Sequence, residues 1–307
     1  MLKQRIITAL VLLPLAIVLL FYPSLQTFSL ILIPIFGLLA WEWSGLLETK
    51  NVIVKSGFVV ATLAVISFFF YQLFNIGFFA SEQQIVSIGL FDTGSGTVSS
   101  KELSGYPFKS LMVAALIWIV ALVMVLLYPK GTRLWTRGAA LRMLFGFVIL
   151  PAAWLAVVVI RSYDYQAEPN YGGFMLLLMF LIIWGADVGA YFAGKTFGKH
   201  KLAPIVSPNK TWEGFFGGMV VSLLVAYGYG SYIGLPLDIG YFMVFVLILV
   251  LVSVVGDLFV SMLKRKAGVK DTSNILPGHG GLLDRLDSTL SVAPFFVVLL
   301  SWLKGGF

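Results

Sequence analysis

The chain alternates long apolar stretches with short polar segments. Nine apolar stretches stand out, and most approach the roughly 20 residues that a helix needs to cross about 30 Å of hydrocarbon. They cover residues 6–22, 28–47, 57–79, 110–128, 139–160, 173–192, 214–232, 241–262 and 288–303. The pattern predicts an all-α, polytopic integral membrane protein with about nine transmembrane helices. No small-residue cleavage site follows the first stretch, so we expect an uncleaved helix rather than a signal peptide.

The composition supports this class. Of the 307 residues, 59% are hydrophobic and only 11% are charged, against about 25% charged residues in an average soluble domain. The mean hydropathy is +0.97. So few charges cannot cover the surface of a soluble enzyme of this size, and the composition also excludes a disordered chain or a fibrous repeat.

The scarce metal-binding side chains limit the chemistry further. The chain has no cysteine and two histidines, which excludes thiolate sites and multi-histidine metal cages. Any metal site must therefore depend on carboxylates and phosphates, which suit hard cations such as Mg²⁺.

The basic residues predict the orientation. With a cytoplasmic N-terminus and nine spans, 17 of the 21 Lys and Arg residues fall on the cytoplasmic side. This asymmetry predicts that the N-terminus is inside and the C-terminus outside. It also explains the net charge of +7 without a nucleic-acid partner.

We expect one membrane domain over residues 1–307. Residues 1–137 would form a variable N-terminal set of helices that faces lipid or a dimer partner. Residues 138–307 would hold the catalytic helices and cytoplasmic loops, because the segments 193–213 and 263–287 are rich in Gly, Lys, Asn, Asp and His. The outside segment 80–108 is rich in Gly and Ser, and we assign it no chemistry.

Four carboxylates lie toward the cytoplasmic ends of the apolar stretches, where burial of a charge is unfavourable. They are Glu42, Asp187, Glu213 and Asp257. Glu42 and Glu213 lie near helix ends, where a structural contact explains them equally well. Asp187 and Asp257 have small neighbours that allow a ligand or another backbone to approach, so we interpret them as functional.

The segment Ser207-Pro208-Asn209-Lys210-Thr211 precedes the seventh apolar stretch. A polar turn at a helix start leaves backbone N–H groups pointing outward, with the positive end of the helix dipole behind them. Lys210 adds a full positive charge, so this turn suits a phosphate group. The alternative is a capped helix with ordinary cytoplasmic lysines.

The segment 261–288 carries the most chemistry. Lys264, Arg265 and Lys270 offer positive charge for a polyphosphate. The stretch 277–281, Pro-Gly-His-Gly-Gly, cannot form regular helix and allows close backbone approach. Asp284 and Asp287 are three residues apart, so a helix would place them on one face. With Asp257 nearby they suggest a divalent-metal site, whereas a solvated charged loop explains the spaced aspartates poorly.

The segment 261–287 resembles the signature of phosphatidate cytidylyltransferases, also called CDP-diacylglycerol synthases. That signature reads Ser-x-apolar-Lys-Arg-x4-Lys-Asp-x-small-x2-Leu-Pro-x-His-Gly-Gly-apolar-x-Asp-Arg-apolar-Asp, and the chain matches it throughout. The segments around Asp187 and 207–214 also resemble motifs of that family. The resemblance covers about residues 184–288, whereas the first half matches only as a set of hydrophobic helices.

This resemblance implies that CTP and phosphatidate react to give CDP-diacylglycerol and pyrophosphate. It implies a dimeric multi-pass protein of the bacterial inner membrane, with Mg²⁺ or Mn²⁺ held by Asp257, Asp284 and Asp287, and a second cation for which K⁺ is the candidate. The residues expected to act in catalysis are Asp257, Asp284, Asp287, His279, Lys264 and Arg265. Those expected to bind substrate are Ser207, Asn209, Lys210, Thr211, Lys270, Gly280, Gly281, Arg285 and Asp187.

Two other classes stay open from the residues. One is a related membrane transferase that acts on an isoprenoid ether lipid or a CDP-alcohol. The other is a secondary transporter with carboxylates as cation sites. A transporter would place its carboxylates near the midplane and in matching repeats, whereas here they cluster toward one face and no internal repeat is evident.

Overall fold

The computed structural model describes residues 2–75, 77–79, 106–130, 139–165, 168–235 and 238–303. This part of the chain is almost entirely helical, which confirms the all-α expectation. Its elements in chain order are α1 Leu2–Phe21, α2 Leu25–Gly45, α3 Val52–Asn75, α4 Tyr106–Leu127, α5 Ala139–Arg161, α6 Tyr171–Phe197, β1 Lys201–Ala203, β2 Ser207–Thr211, α7 Trp212–Tyr232, α8 Ile239–Lys266 and α9 Leu283–Leu303. Most of the outside segment 80–108 lies outside the described residues.

Helices α2 to α8 are long and apolar enough to cross a bilayer, which makes seven candidate spans among the described residues. The apolar part of α1 that meets this description is shorter, over Leu10–Phe21, and α9 is not among the seven. The multi-pass membrane class is therefore confirmed. The count of nine spans and the orientation with the N-terminus inside stay predictions.

Helix α5 lies at the centre of the bundle. Its residues from Ile149 to Arg161 are all buried, and α2, α3, α4, α6 and α9 pack around it. A helix that is apolar on all sides is stable only when other helices or lipid surround it. Helices α3 and α4 expose most of their apolar surface, as expected for helices that face lipid.

Helices α6 and α7 are in backbone contact. A Cβ atom on Gly189 would lie 2.6 Å from the carbonyl oxygen of Gly217, and one on Gly218 would lie 2.6 Å from that of Ala186. The Ser222 hydroxyl also donates a hydrogen bond to the Ile182 carbonyl at 2.7 Å. Small residues allow such an approach in apolar surroundings, where packing and interhelical hydrogen bonds replace the hydrophobic effect.

A second close contact joins α8 to α9. A Cβ atom on Gly256 would collide with the Ser291 hydroxyl and lie 2.8 Å from the Asp287 carbonyl oxygen. Ser288 donates a hydrogen bond to the Ser253 carbonyl at 3.1 Å. This contact brings the turn of α8 that carries Asp257 against the start of α9.

A short antiparallel hairpin, β1 with β2, connects α6 to α7. Helix α6 continues to Phe197, five residues beyond the predicted apolar stretch. The sequence analysis did not predict the hairpin, because its strands are three and five residues long and Pro208 within β2 argues against a strand except at an edge. The hairpin sets the position of Lys210.

Candidate active site

Lys210 lies at the centre of a group of carboxylates. Its ammonium forms an ion pair with the Asp257 carboxylate of α8. Burial alone lowers the pKa of Lys210, but Asp257 and then Asp187 and Asp287 raise it above its ordinary value. The hairpin, α6, α8 and α9 thus each contribute one charged group to this cluster, which brings together four of the residues singled out in the sequence.

One stripe of α8 carries the next part of the site. Asp257, Ser261 and Lys264 follow the i, i+4, i+7 spacing that places side chains on one helix face. The Ser261 hydroxyl donates a hydrogen bond to the Asp257 carboxylate at 3.2 Å. Lys264 points to α9, where its ammonium lies 2.7 Å from an oxygen of Asp284.

Asp284 is held by several donors. One carboxylate oxygen binds Lys264, and the other accepts hydrogen bonds from the Thr272 N–H at 2.8 Å and the Gly281 N–H at 2.9 Å. The Thr272 hydroxyl lies 3.0 Å from this second oxygen. The Lys264 and Asp284 side chains are only 10% and 4% exposed. The pair is therefore a buried ion pair at the base of the loop that joins α8 to α9.

This loop, residues 267–282, turns through glycines. Gly278 and Gly280 have φ values of 76° and 82°, which favour glycine because a Cβ atom is strained there. The prediction that 277–281 is not regular helix is confirmed. His279 lies at the turn, and its Nδ1 is buried without a hydrogen-bond partner among the described residues. Arg285 donates from Nε to the His279 carbonyl at 3.0 Å.

Glu42, in the last turn of α2, is bonded to the same loop. It is 2% exposed, and its carboxylate accepts hydrogen bonds from the Ser273 hydroxyl and from the Leu282 and Leu283 N–H groups at 2.6 to 3.0 Å. The Thr272 hydroxyl lies 3.0 Å from a Glu42 oxygen as well, and it shares its one proton between Glu42 and Asp284. The sequence identified Glu42 as a carboxylate in an unfavourable position. Its partners lie about 230 to 241 residues away, and no sequence pattern identified them.

A cleft opens beside the charged cluster. Its volume is about 300 Å³, near the lower end of the range for small-molecule sites. Its polar wall includes five residues that the sequence analysis assigned to substrate binding: Asp187, Ser207, Asn209, Lys210 and Thr211. Its apolar wall comes from Phe215 and Gly218 of α7 and from Val250 and Val254 of α8.

The other predicted residues take different positions. The Thr211 hydroxyl caps α7 by accepting a hydrogen bond from the Gly214 N–H at 3.1 Å, as the helix-start pattern predicts. Arg265 is exposed and donates to the Val206 carbonyl at 3.3 Å, which joins α8 to the hairpin. Lys270 is exposed on the loop. A Cβ atom on Gly280 would lie 2.9 Å from an Asp284 oxygen, so glycine is needed there for packing.

The carboxylates of the predicted metal site can be compared with what a metal ion requires. Among the described residues, no group of three or more His, Asp or Glu side chains is arranged to hold a metal ion. Asp284 has both oxygens occupied by protein donors, whereas within the described part of the chain Asp287 accepts only from the Ser288 N–H at 2.7 Å. Asp257 and Asp287 nevertheless fit Mg²⁺, which proteins often bind through one or two carboxylates together with substrate phosphates. In this structure the Lys210 ammonium pairs with Asp257.

The fold and this site define an integral membrane protein that gathers lysines and carboxylates beside an amphipathic cleft at one end of its helices. The sequence profile of the cytidylyltransferase family matches residues 3–303, so the chain belongs to that family. It is therefore a nucleotidyltransferase enzyme, which decides against the transporter alternative.

Similar proteins match almost the whole chain. It is 37% identical over 303 residues to a phosphatidate cytidylyltransferase of Haemophilus influenzae, covering 96% of this chain and 97% of that protein. It is 39% identical over 306 residues to one of Pseudomonas aeruginosa, covering 99% and 98%. A protein of the same name from Bacillus subtilis is 43% identical over 156 residues, covering 51% and 58%. The predicted family is confirmed.

Proposed function

We propose that this chain transfers the cytidylyl group of CTP to phosphatidate and releases pyrophosphate. The observation that carries the proposal is the near-full-length similarity to two relatives that bear the name of this activity. The cleft beside Lys210 supports it, because charged groups at one wall suit phosphates and the apolar wall suits part of a lipid.

The chemistry is an in-line substitution at phosphorus. An oxygen of the phosphatidate phosphate forms a bond to the α-phosphorus of CTP. The bond from the α-phosphorus to the oxygen that bridges to the β-phosphorus breaks, and its electron pair leaves with pyrophosphate. The attacking phosphate is already ionised near neutral pH, so the protein must position the two phosphates and offset their charge rather than supply a base.

Lys210 is the one basic side chain among the described residues that line the cleft, and its ion-pair partner is Asp257. We propose that it leaves Asp257 for a substrate phosphate when substrate enters. The predicted phosphate contacts also include Lys264, Arg265 and Lys270. His279 stays a predicted catalytic residue and Arg285 a predicted substrate-binding residue. The buried pairing of Lys264 with Asp284 indicates that Lys264 acts mainly as a fixed positive charge.

A cation fits the charge balance of this site. Among the described residues, the carboxylates of Asp187, Asp257, Asp284 and Asp287 form ion pairs with two ammonium groups, those of Lys210 and Lys264, and both substrates are anions. A divalent cation, when bound, would neutralise charge on the phosphate oxygens. We propose Mg²⁺, with Mn²⁺ as the alternative, on Asp257 and Asp287, with Asp284 as the third predicted ligand. K⁺ stays the candidate for a second cation.

The site is expected at the cytoplasmic face, where CTP is available and phosphatidate lies in the inner leaflet. We propose that the chain resides in the bacterial inner membrane as a homodimer. The distribution of basic residues supports the orientation. The exposed apolar surface of α3 and α4 suits either lipid or a second copy of the chain.

The test of the function is pyrophosphate release by the purified protein in detergent or vesicles. We expect release from CTP only when phosphatidate and Mg²⁺ are both present, with formation of CDP-diacylglycerol in equal amount. ATP, GTP and UTP in place of CTP serve as controls. Turnover of an isoprenoid ether lipid phosphate in preference to phosphatidate would support the related-transferase alternative and overturn the proposal.

We expect Lys210→Ala to raise the KM for CTP or phosphatidate, or to lower kcat, by about 10- to 100-fold, since hydrogen bonds to charged groups contribute about 1.5 to 3 kcal/mol. Steady-state kinetics with each substrate varied in turn measure this. Lys201→Ala on the exposed start of the same hairpin is the matched control and should leave the kinetics unchanged. Unchanged kinetics for Lys210→Ala would return this residue to the role of an ordinary cytoplasmic lysine.

A further inference from the structure

The contact between Glu42 and the loop 267–282 gives α2 a role in the reaction. We infer that Glu42 is a positioning residue that holds the loop, and through it the Lys264–Asp284 pair, in the geometry used for cytidylyl transfer. This inference rests on the proposed function. It gives a residue from the N-terminal set of helices a direct effect on the site.

Three donors point at the Glu42 carboxylate, and a fourth, the Thr272 hydroxyl, is shared with Asp284. Ser273 and Leu282 donate to one oxygen at 2.6 and 3.0 Å, and Thr272 and Leu283 donate to the other at 3.0 and 2.6 Å. An ionised carboxylate has about four acceptor positions, whereas an amide has one oxygen and an NH₂ group that only donates. Two of the four donors are backbone N–H groups, which cannot turn away.

The backbone donors lie at the start of α9. The N–H groups in the first turn of a helix lack partners within the helix and carry partial positive charge. Leu282 precedes α9 and Leu283 begins it, so Glu42 satisfies these N–H groups from a different helix. The position of α9, which carries Asp284 and Asp287, is therefore fixed partly by α2.

A single hydroxyl bridges Glu42 to the site. The Thr272 hydroxyl lies 3.0 Å from an oxygen of Glu42 and 3.0 Å from an oxygen of Asp284. Asp284 in turn binds the Lys264 ammonium. A displacement of Glu42 would thus be transmitted through Thr272 and Asp284 to a lysine on α8.

The residues around Glu42 leave room for its carboxylate and hold the end of α2 in place. A Cβ atom on Gly281 would collide with the Thr272 hydroxyl and lie 2.7 Å from a Glu42 oxygen, so only glycine leaves room for the carboxylate. The next residue of α2, Trp43, is fully buried and donates from its indole to the Arg142 carbonyl of α5 at 3.0 Å. Glu42 therefore projects from a fixed helix end, as expected of a group that orients others.

Glu42→Gln tests the inference, because it keeps the size of the side chain and removes two acceptor positions. The two hydroxyl donors can reorient, but one backbone N–H at Leu282 or Leu283 loses its acceptor. We expect kcat to fall by about 10- to 100-fold, the range for losing groups that orient residues of an active site, with a smaller change in the KM for CTP. We expect amide hydrogen exchange of residues 281–283 to become faster, while exchange in α2 and α5 stays slow.

Matched variants separate positioning from general stability. Glu48→Gln removes a carboxylate six residues further on, where it pairs with Arg142 at 2.9 Å, and should leave kcat and loop exchange as in the wild type. Thr272→Val removes one donor from the loop side and keeps α2 intact. Thr272→Val should also lower kcat. If Glu42→Gln fails to fold, the kinetics of Thr272→Val test whether the loop must be held in position.

The outcomes are distinct. If Glu42→Gln and Thr272→Val keep kcat and loop exchange within about twofold of wild type, a range far below that of orienting groups, the inference is wrong. If Glu42→Gln accelerates exchange throughout the bundle and lowers the melting temperature in proportion to activity, Glu42 serves stability and the inference is equally wrong. Faster loop exchange with a lower kcat supports it. Failure of the wild-type protein to use phosphatidate would overturn the proposed function, but the loop exchange would still report whether Glu42 holds the loop.

Discussion

Asp257→Asn is expected to abolish turnover, with a loss of more than about 100-fold in kcat/KM, the scale on which single groups that stabilise transition-state charge act. The change keeps the size of the side chain and a hydrogen-bond acceptor for Ser261. It removes the negative charge that pairs with Lys210 and that we propose to bind the cation. Initial rates across a Mg²⁺ series measure both effects, and the half-saturating Mg²⁺ concentration should rise.

Asp238→Asn provides the control on the same helix. Asp238 caps the opposite end of α8 by accepting hydrogen bonds from the Gly240 and Tyr241 N–H groups at 2.8 and 3.3 Å. Asn caps helices about as well as Asp, so we expect near wild-type activity. If Asp257→Asn also kept near wild-type activity with an unshifted Mg²⁺ dependence, Asp257 would be a structural partner of Lys210 and the metal assignment would be abandoned.

Asp284→Asn is expected to lower both activity and stability. The buried Lys264 ammonium would lose its counter-charge, and breaking a buried ion pair costs about 3 to 5 kcal/mol. An amide can still accept from one of the two backbone N–H groups that now bind Asp284, so the loop would be held less firmly. We expect at least a 100-fold loss of kcat, on the scale of about 10²- to 10³-fold for single charge-stabilising groups, together with a lower melting temperature in detergent.

A second variant separates the two effects. Lys264→Met combined with Asp284→Asn removes both charges and should recover much of the lost stability, because buried ion pairs can often be replaced by apolar groups without loss. Activity should not recover, since the reaction still lacks both charges. Recovery of activity in the double variant would indicate that Lys264 and Asp284 serve packing alone.

The sequence predicted the class of fold and the elements of the site because these depend on local pattern. Apolar stretches of helical length identified α2 to α8, and the Gly-rich segment 277–281 predicted a turn because glycine at 278 and 280 adopts positive φ. Asp284 and Asp287 both lie in α9, so their spacing of three residues places them on one helix face, as the sequence analysis expected of a helix there. The family was predicted from motifs within residues 184–288 and is confirmed across residues 3–303.

The sequence could not predict which charged residues pair with each other. The pattern grouped Asp257, Asp284 and Asp287, whereas the structure pairs Asp257 with Lys210 and Asp284 with Lys264. These pairs join different elements, and their geometry depends on how closely α8 approaches α9 and the hairpin. The division at residue 137 likewise did not anticipate Glu42, whose contacts span more than 200 positions in the chain.

The glycine contact between α6 and α7 limits how the cleft can change shape. Since a Cβ atom on Gly189 or Gly218 would lie 2.6 Å from a carbonyl oxygen of the facing helix, the two helices cannot approach further. Separating them would lose contacts along most of both helices. They behave as one rigid wall, with the hairpin as its rim. A lipid wider than the present cleft must therefore be admitted by movement of α8 away from this wall, and substitutions that enlarge the residues at 250 and 254 would restrict substrate size without touching the reacting groups.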